Sequence, residues 1–165
     1  MKSKEFEVCV RAIIRYRGKT LVCYHREKRR YFFPGGHIKF GESINKALER
    51  EIKEELNIFV KKFSFIGVVD NIYREEGKEH HEINFVFDTK TDGISEGREI
   101  EETKGDHISF TLFNKERFSK ERVLPIALRE SILKWLKDKK MFWASQIYDK
   151  VLLKKRDKKR YGKRD

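Results

Sequence analysis

Three glutamates, Glu51, Glu54 and Glu55, are spaced so that one helix would bring their carboxylates together. At about 100° per residue they fall within an arc of about 100° on the helix surface. Their charges repel one another there, and a divalent cation would remove the repulsion. Mg²⁺ takes oxygen ligands in an octahedron and usually keeps waters for phosphate chemistry. The spacing therefore predicts a magnesium site, the alternative being a solvated acidic helix face.

A longer pattern around these glutamates makes the metal interpretation more specific. Gly36 is followed after five residues by Glu42, and Glu42 after seven residues by Arg50. The glycine turn at Gly35 and Gly36 frees backbone carbonyls and lets a metal or a phosphate come close. Arg50 immediately precedes Glu51, so it is placed to pair with one carboxylate and orient it.

A helix over residues 43–57 would position this cluster. Ser43 is a suitable N-cap, and Asn57 suits the end because Asn tolerates the left-handed conformation. A single apolar stripe that repeats every four residues would face a core. That stripe consists of Ile44, Leu48, Ile52 and Leu56.

Strands and two further helices are predicted around that helix. Apolar stretches of the β type indicate strands at 6–16, 20–25, 58–73, 83–88 and 108–113, with a short apolar segment at 31–33. A bend is expected at Gly67, and the polar stretch 89–106 is expected to be a loop. Apolar periodicity predicts helices at 125–139, with Pro125 in the first turn, and at 141–153.

The pattern around the glutamates resembles the signature of the Nudix hydrolases, Gly-x5-Glu-x7-Arg-Glu-(apolar)-x-Glu-Glu-x-Gly-(apolar). Every fixed position from Gly36 to Ile58 matches except Asn57, where the family has a helix-capping glycine. The resemblance implies an α/β (α+β) fold, an α/β/α sandwich with a mixed β-sheet. It also implies hydrolysis of a pyrophosphate linked to a nucleoside diphosphate, with Mg²⁺ or Mn²⁺ as the cofactor.

The resemblance also implies roles for individual residues. The metal ligands would be Glu51, Glu54, Glu55 and the carbonyl of Gly36. Arg50 would orient these carboxylates, while Gly35 and Glu42 would support the turn and the helix. The attacking water needs a general base, which in this family is a helix glutamate or a carboxylate of a later loop. The loop candidates are Glu99, Glu101, Glu102 and Asp106, and the sequence leaves the choice open.

Basic and aromatic residues precede the glycine turn and would lie at the pocket mouth if the family layout holds. Arg26, Arg30 and Phe32 would hold phosphates and stack a base, the alternative being a basic loop followed by a core strand. Tyr73 is a further substrate-binding candidate, because a downstream tyrosine sometimes accompanies dinucleoside polyphosphate substrates in this family. The lack of a nearby proline counts against ADP-ribose.

His80 and His81 lie between two glutamates just before the predicted strand 83–88. Adjacent residues of a strand point to opposite faces, so the two histidines cannot easily share one ion. Glu82 or His81 is expected to face the substrate pocket. The alternative is that these are ordinary residues of a strand edge.

Charge is concentrated at the C-terminus. The net charge is +12, and residues 154–165 hold eight basic and two acidic residues. Such a tail suits a polyanion such as RNA, the alternative being a solvated disordered end. We expect one Nudix hydrolase domain over residues 1–153 and a basic, disordered tail over 154–165.

Composition limits the class of protein. Aromatic residues make up 13% of the chain, which indicates a packed core. No apolar run approaches the roughly 20 residues needed to cross a bilayer, so no membrane partner is expected. The charged N-terminus and the two cysteines, Cys9 and Cys23, indicate a cytoplasmic protein with reduced thiols. Residues 142–153 would pack on their own domain or on a second subunit, so the sequence allows an oligomer as well as a monomer.

Three functions follow from these features. The first is a Mg²⁺-dependent pyrophosphohydrolase that acts on a nucleoside triphosphate or another nucleoside-diphosphate derivative. The second is an RNA 5′-end pyrophosphohydrolase that uses the basic tail as an anchor. The third is a non-catalytic module that senses a nucleotide. The intact helix glutamates favour an enzyme over the sensor.

Overall fold

The computed structural model describes residues 4–94 and 107–147. Among them a single mixed β-sheet is combined with three helices. The elements in chain order are β1 (Lys4–Tyr16), β2 (Lys19–His25), β3 (Arg30–Phe32), α1 (Ile44–Leu56), β4 (Val60–Glu75), β5 (Lys78–Thr91), β6 (Ile108–Phe113), α2 (Lys115–Lys120), β7 (Val123–Leu124), α3 (Ile126–Asp138) and β8 (Phe142–Ser145).

The sheet has the strand order β7-β3-β2-β1-β5-β4-β8, with β6 paired to β2. β1 runs parallel to β5 over most of its length and pairs with β2 only at the hairpin. Beyond that hairpin the glycine turn takes the place of β2. The backbone N–H groups of Val10 and Ala12 donate to the carbonyls of Gly36 and Pro34, both at 2.9 Å. These bonds fix the turn to the central strand.

Helices cover both faces of the sheet because β1 is apolar on both sides. Val10, Ala12 and Ile14 pack in one core cluster with the apolar stripe of α1. Ile13 points the other way, into a second cluster that includes Leu128 of α3. The α+β class and the mixed sheet with helices predicted from the sequence are confirmed.

The helix predicted at 43–57 is confirmed with its two caps. Ser43 Oγ accepts a hydrogen bond from the Lys46 backbone N–H at 3.4 Å, and Asn57 adopts the left-handed conformation with φ of 51°. The predicted strand 108–113 is β6. β4 has a register shift between Phe65 and Gly67, at the position where the bend is expected.

The helix predicted at 141–153 is wrong where the structure describes it. Phe142–Ser145 forms β8, which pairs parallel with β4 from Gly67 to Asp70. Gly67 makes this possible, since a Cβ there would stand 2.5–2.7 Å from the Phe142 ring. The remainder of that segment, from residue 148, and the tail 154–165 lie outside the described residues. The domain boundaries therefore stay a prediction.

No helix in residues 4–94 and 107–147 combines the length and the apolar character needed to span a membrane. The two cysteines, both within these ranges, are buried and are not joined in a disulfide.

We expect Cys9 to resist alkylation in the folded protein. Its side chain is fully buried, and burial raises the pKa of the thiol to about 12. Since the thiolate is the reactive form, Cys9 should react only after unfolding. Iodoacetamide labelling followed by peptide mass spectrometry, with and without denaturant, measures this. Equal labelling of Cys9 in both conditions would contradict the prediction.

Candidate active site

The glycine turn and α1 meet at two buried carboxylates. Glu51 and Glu55 are only 7% and 8% exposed. The Gly35 backbone N–H donates to Glu55 Oε2 at 2.9 Å. A Cβ on Gly36 would stand 2.7–2.8 Å from the Glu51 carboxylate, so the glycine leaves the space that this carboxylate fills. The turn thereby sets the position of both groups.

Arg50 connects the remaining acidic side chains. Its guanidinium forms a bidentate pair with Glu42, with Nε and Nη2 at 2.8 and 2.9 Å from the two carboxylate oxygens. Nη1 donates to Glu51 Oε1 at 2.6 Å and to Glu54 Oε2 at 3.3 Å. Nη2 also donates to the His37 carbonyl at 2.9 Å. The Arg50 guanidinium thus fixes the positions of these carboxylates relative to the loop before α1.

This pairing predicts an acid-sensitive contribution of Glu42 to stability. The Arg50 hydrogen bond lowers the pKa of the Glu42 carboxyl from 4.5 to about 2. A carboxyl whose pKa is depressed in the folded state stabilises the protein above the unfolded-state pKa. That stabilisation is lost as the pH falls through the folded-state pKa. We therefore expect the Glu42 contribution to disappear between pH 4.5 and about 2.

Urea unfolding of the wild type and of Glu42→Gln across that pH range measures the contribution. The two proteins should differ most near neutral pH and converge in acid. A difference that stays constant with pH would contradict the assignment.

The residues at this site fit a hard divalent cation. The ligands predicted from the sequence, the carboxylates of Glu51, Glu54 and Glu55 with the Gly36 carbonyl, would all offer oxygens, the type of donor that Mg²⁺ prefers. The Gly36 oxygen accepts one hydrogen bond from Val10, and a carbonyl has a second lone pair for a ligand. The loop candidates for the general base, Glu99, Glu101, Glu102 and Asp106, lie outside the described residues.

A pocket of about 480 Å³ is lined by residues of the sheet and of the segment 122–125. No residue of the glycine turn or of α1 lines it, and Arg11, which does, connects it to the turn. Four of the residues proposed from the sequence to bind substrate line it: Arg30, Phe32, Tyr73 and Glu82. Arg26 is not among the lining residues. It lies after β2 with an exposed side chain, and its backbone N–H donates to the His107 carbonyl at 2.7 Å. Its role in binding stays a prediction.

A hydrogen-bonded network of strand residues forms the polar wall of the pocket. Arg11 Nε donates to Asn84 Oδ1 at 2.8 Å, and Nη2 contacts Glu82 Oε1 at 3.4 Å. Arg11 Nη1 also donates to the Gly35 carbonyl at 3.2 Å, and the Tyr73 hydroxyl donates to Glu82 Oε1 at 3.2 Å. Burial raises the pKa of the Tyr73 hydroxyl, so it remains a donor at neutral pH. The network joins the pocket wall to the glycine turn.

Arg11 was not identified as a site residue from the sequence because it lies inside the apolar stretch 6–16, which was interpreted only as a strand. The available signal was the charge itself, since arginine is rarely buried without partners. The two histidines separate as the alternation rule requires. His80 stacks on Tyr73 with ring centroids 4.9 Å apart, whereas His81 packs edge-on against Phe6 at 5.1 Å. Of the two residues expected near the pocket, Glu82 is the one that lines it.

Comparison with known families gives a match over most of the chain. A family model described as NUDIX domain matches residues 6–136. The Bacillus subtilis (strain 168) protein YtkD, classed provisionally as an 8-oxo-dGTP diphosphatase, is 32% identical over 125 residues. That alignment covers 72% of this chain and 76% of YtkD. The 8-oxo-dGTP diphosphatase of Buchnera aphidicola subsp. Acyrthosiphon pisum (strain APS) is 42% identical over 50 residues, 30% of this chain and 40% of that protein.

The fold has clear structural relatives. The crystal structure of the MutT protein from Bacillus halodurans superimposes with a TM-score of 0.63 at 22% identity, covering 87% of this chain and 92% of that one. The MutT protein from Methanosarcina mazei Go1 gives a TM-score of 0.62 at 20% identity, with 85% and 99% covered. At these identities the likeness concerns the fold alone.

Proposed function

The chain belongs to the Nudix hydrolase family, and from that premise we propose that it hydrolyses 8-oxo-dGTP or a closely related purine nucleoside triphosphate. It is a pyrophosphohydrolase, as the family and the diphosphatase names of its relatives indicate. The substrate is the proposed step. It is supported by the two relatives named as 8-oxo-dGTP diphosphatases and by a pocket of nucleotide size.

The observation that supports this proposal is that Glu51 and Glu55 meet the glycine turn, which Arg11 of the pocket wall contacts through the Gly35 carbonyl. Nudix hydrolases generally use a divalent metal, and the helix carboxylates with the Gly36 carbonyl would hold Mg²⁺ or Mn²⁺. Such a cation neutralises phosphate oxygens and makes a water more acidic. Arg50 keeps the carboxylates in place through its bonds to Glu42, Glu51 and Glu54.

Residues of the pocket supply binding and orientation. Arg30 and Arg122 place positive charge on the lining, where it would attract a triphosphate. Phe32 and Tyr73 offer aromatic faces to a base. Glu82, tied to Arg11 and Tyr73, presents a carboxylate that can accept from ring N–H and amino groups. A guanine-type base offers such donors, which favours a purine of that kind.

The test is pyrophosphate release from a panel of substrates with Mg²⁺. The panel contains 8-oxo-dGTP, dGTP, dATP, a dinucleoside polyphosphate, ADP-ribose and a 5′-triphosphorylated RNA. We expect kcat/KM for 8-oxo-dGTP to exceed that for dGTP by at least about tenfold. A preference for the RNA or for a dinucleoside polyphosphate would overturn the proposed substrate. Tight nucleotide binding without turnover of any member would instead support the sensing module.

The remaining expectations from the sequence stay predictions. The RNA function depends on the basic tail, which lies outside the described residues. Oligomeric state and cytoplasmic location are likewise untested by the residues that the structure describes.

A further inference from the structure

A second cluster of metal-ligating side chains lies on the sheet, apart from the helix glutamates. In the register of β1 and β5, Glu5 is opposite His80 and Glu7 is opposite Glu82, so these side chains share one face. One ligand atom from each of Glu5, Glu7 and His80 lies within 4.8 Å of the others. His80 Nδ1 is 3.3 Å from Glu7 Oε1 and 3.5 Å from Glu5 Oε2.

These separations are those of long hydrogen bonds and are also compatible with ligands of one cation. Charge-assisted bonds from nitrogen to carboxylate are about 2.7–2.9 Å long. Lys78 Nζ makes such a bond to the other oxygen of Glu5, at 2.6 Å. Two donors bound to one ion at about 2.1 Å stand about 3.0–3.4 Å apart in octahedral or tetrahedral geometry. The distances from His80 to the two carboxylates lie close to that range.

Two further observations point to a ligand. His80 is held in place, because its side chain is only 12% exposed and its ring stacks on Tyr73 with an interplanar angle of 10°. Glu7 Oε2 is buried and has no hydrogen-bond partner among the described residues. A buried carboxylate oxygen in that state is unfavourable, and a nearby cation would compensate it. The other carboxylate oxygen of Glu7, Oε1, lies 3.2 Å from His37 Nε2 as well as close to His80.

We propose that Glu5, Glu7 and His80 bind a divalent cation of the first transition row, such as Zn²⁺ or Mn²⁺. An imidazole with two carboxylates suits these ions, whereas Mg²⁺ prefers oxygen ligands alone. Three protein donors leave a coordination position open for water or a phosphate oxygen. The site adjoins the pocket through Tyr73, which stacks on His80 and donates to Glu82. The proposal does not depend on which nucleotide the enzyme hydrolyses.

Cobalt titration of the full-length protein, first stripped of bound metal and then given excess Mg²⁺, tests the site directly. Excess Mg²⁺ keeps the helix carboxylates supplied with a hard cation, and Co²⁺ bound to imidazole is followed through its visible d–d bands. We expect one equivalent to bind to the wild type. His80→Gln and Glu7→Gln should each weaken binding by at least about tenfold, since each removes a ligand.

Two variants serve as controls. His107→Gln removes an exposed histidine that lies 3.0 Å from Glu27, a histidine–glutamate pair away from the proposed site that could also attract cobalt. Glu54→Gln alters the helix carboxylates. Both should bind cobalt as the wild type does. Absence of d–d bands in the wild type, unchanged affinity in Glu7→Gln, or loss of binding in either control would overturn the proposal. Circular dichroism checks folding, and Glu7→Gln decides alone if His80→Gln does not fold.

Discussion

Glu54→Gln should lower kcat for nucleotide hydrolysis by about 100-fold or more without unfolding the protein. The substitution keeps the size of the side chain and removes one negative charge from the helix cluster. Neutralisation of developing phosphate charge by a cation is worth several kcal/mol, and weaker retention of the cation loses part of it. The Glu54 side chain is 33% exposed, so little packing is lost. Steady-state pyrophosphate release at increasing Mg²⁺ measures the effect.

Glu49→Gln is the matched control. Glu49 lies on the same helix with an exposed side chain, and its replacement removes the same charge from the protein. We expect Glu49→Gln to retain wild-type kcat and the wild-type dependence on Mg²⁺. Equal losses in both variants would mean that the helix as a whole, and not the Glu54 carboxylate, accounts for the effect. Full activity of Glu54→Gln would contradict the assignment of Glu54 to the metal site.

Local sequence signals were sufficient for the helix that carries the glutamates. Its apolar period, its N-cap at Ser43 and its left-handed end at Asn57 all depend on residues within one segment. Each signal indicates the same boundaries, so the prediction did not require knowledge of the partners of the helix. The spacing of the three glutamates then followed from helical geometry alone.

Pairing between distant segments could not be inferred in the same way. The apolar residues from Phe142 onward fit a helix when considered alone, yet the edge of β4 offers them a partner strand. That pairing depends on Gly67, 75 positions earlier, which leaves room for the Phe142 ring. Arg11 is a similar case. Its partners Asn84 and Glu82 lie on β5, 73 and 71 positions away. Only the parallel pairing of β1 with β5 brings them together.

Replacing each glycine of the turn by alanine should have a different effect, on stability at Gly35 and on activity at Gly36. Gly35 has φ of 128°, and a Cβ there would collide with the backbone carbonyl of Val10. Since neither the strand nor the turn can move away, we expect Gly35→Ala to lose about 3 kcal/mol or more of unfolding free energy. Chemical denaturation measures this, and a stability equal to the wild type would contradict it.

Gly36→Ala, by contrast, should fold and lose activity. The added Cβ would stand 2.7–2.8 Å from the Glu51 carboxylate, the end of a flexible side chain that can swing aside. We expect the unfolding free energy to change by no more than about 1 kcal/mol and kcat to fall by about 100-fold. The same denaturation series and pyrophosphate assay, run on both alanine variants, compare one substitution at adjacent positions. If Gly36→Ala kept full turnover, the position of Glu51 against the turn would not matter for catalysis. A loss of folding in both variants would mean that the turn serves stability alone.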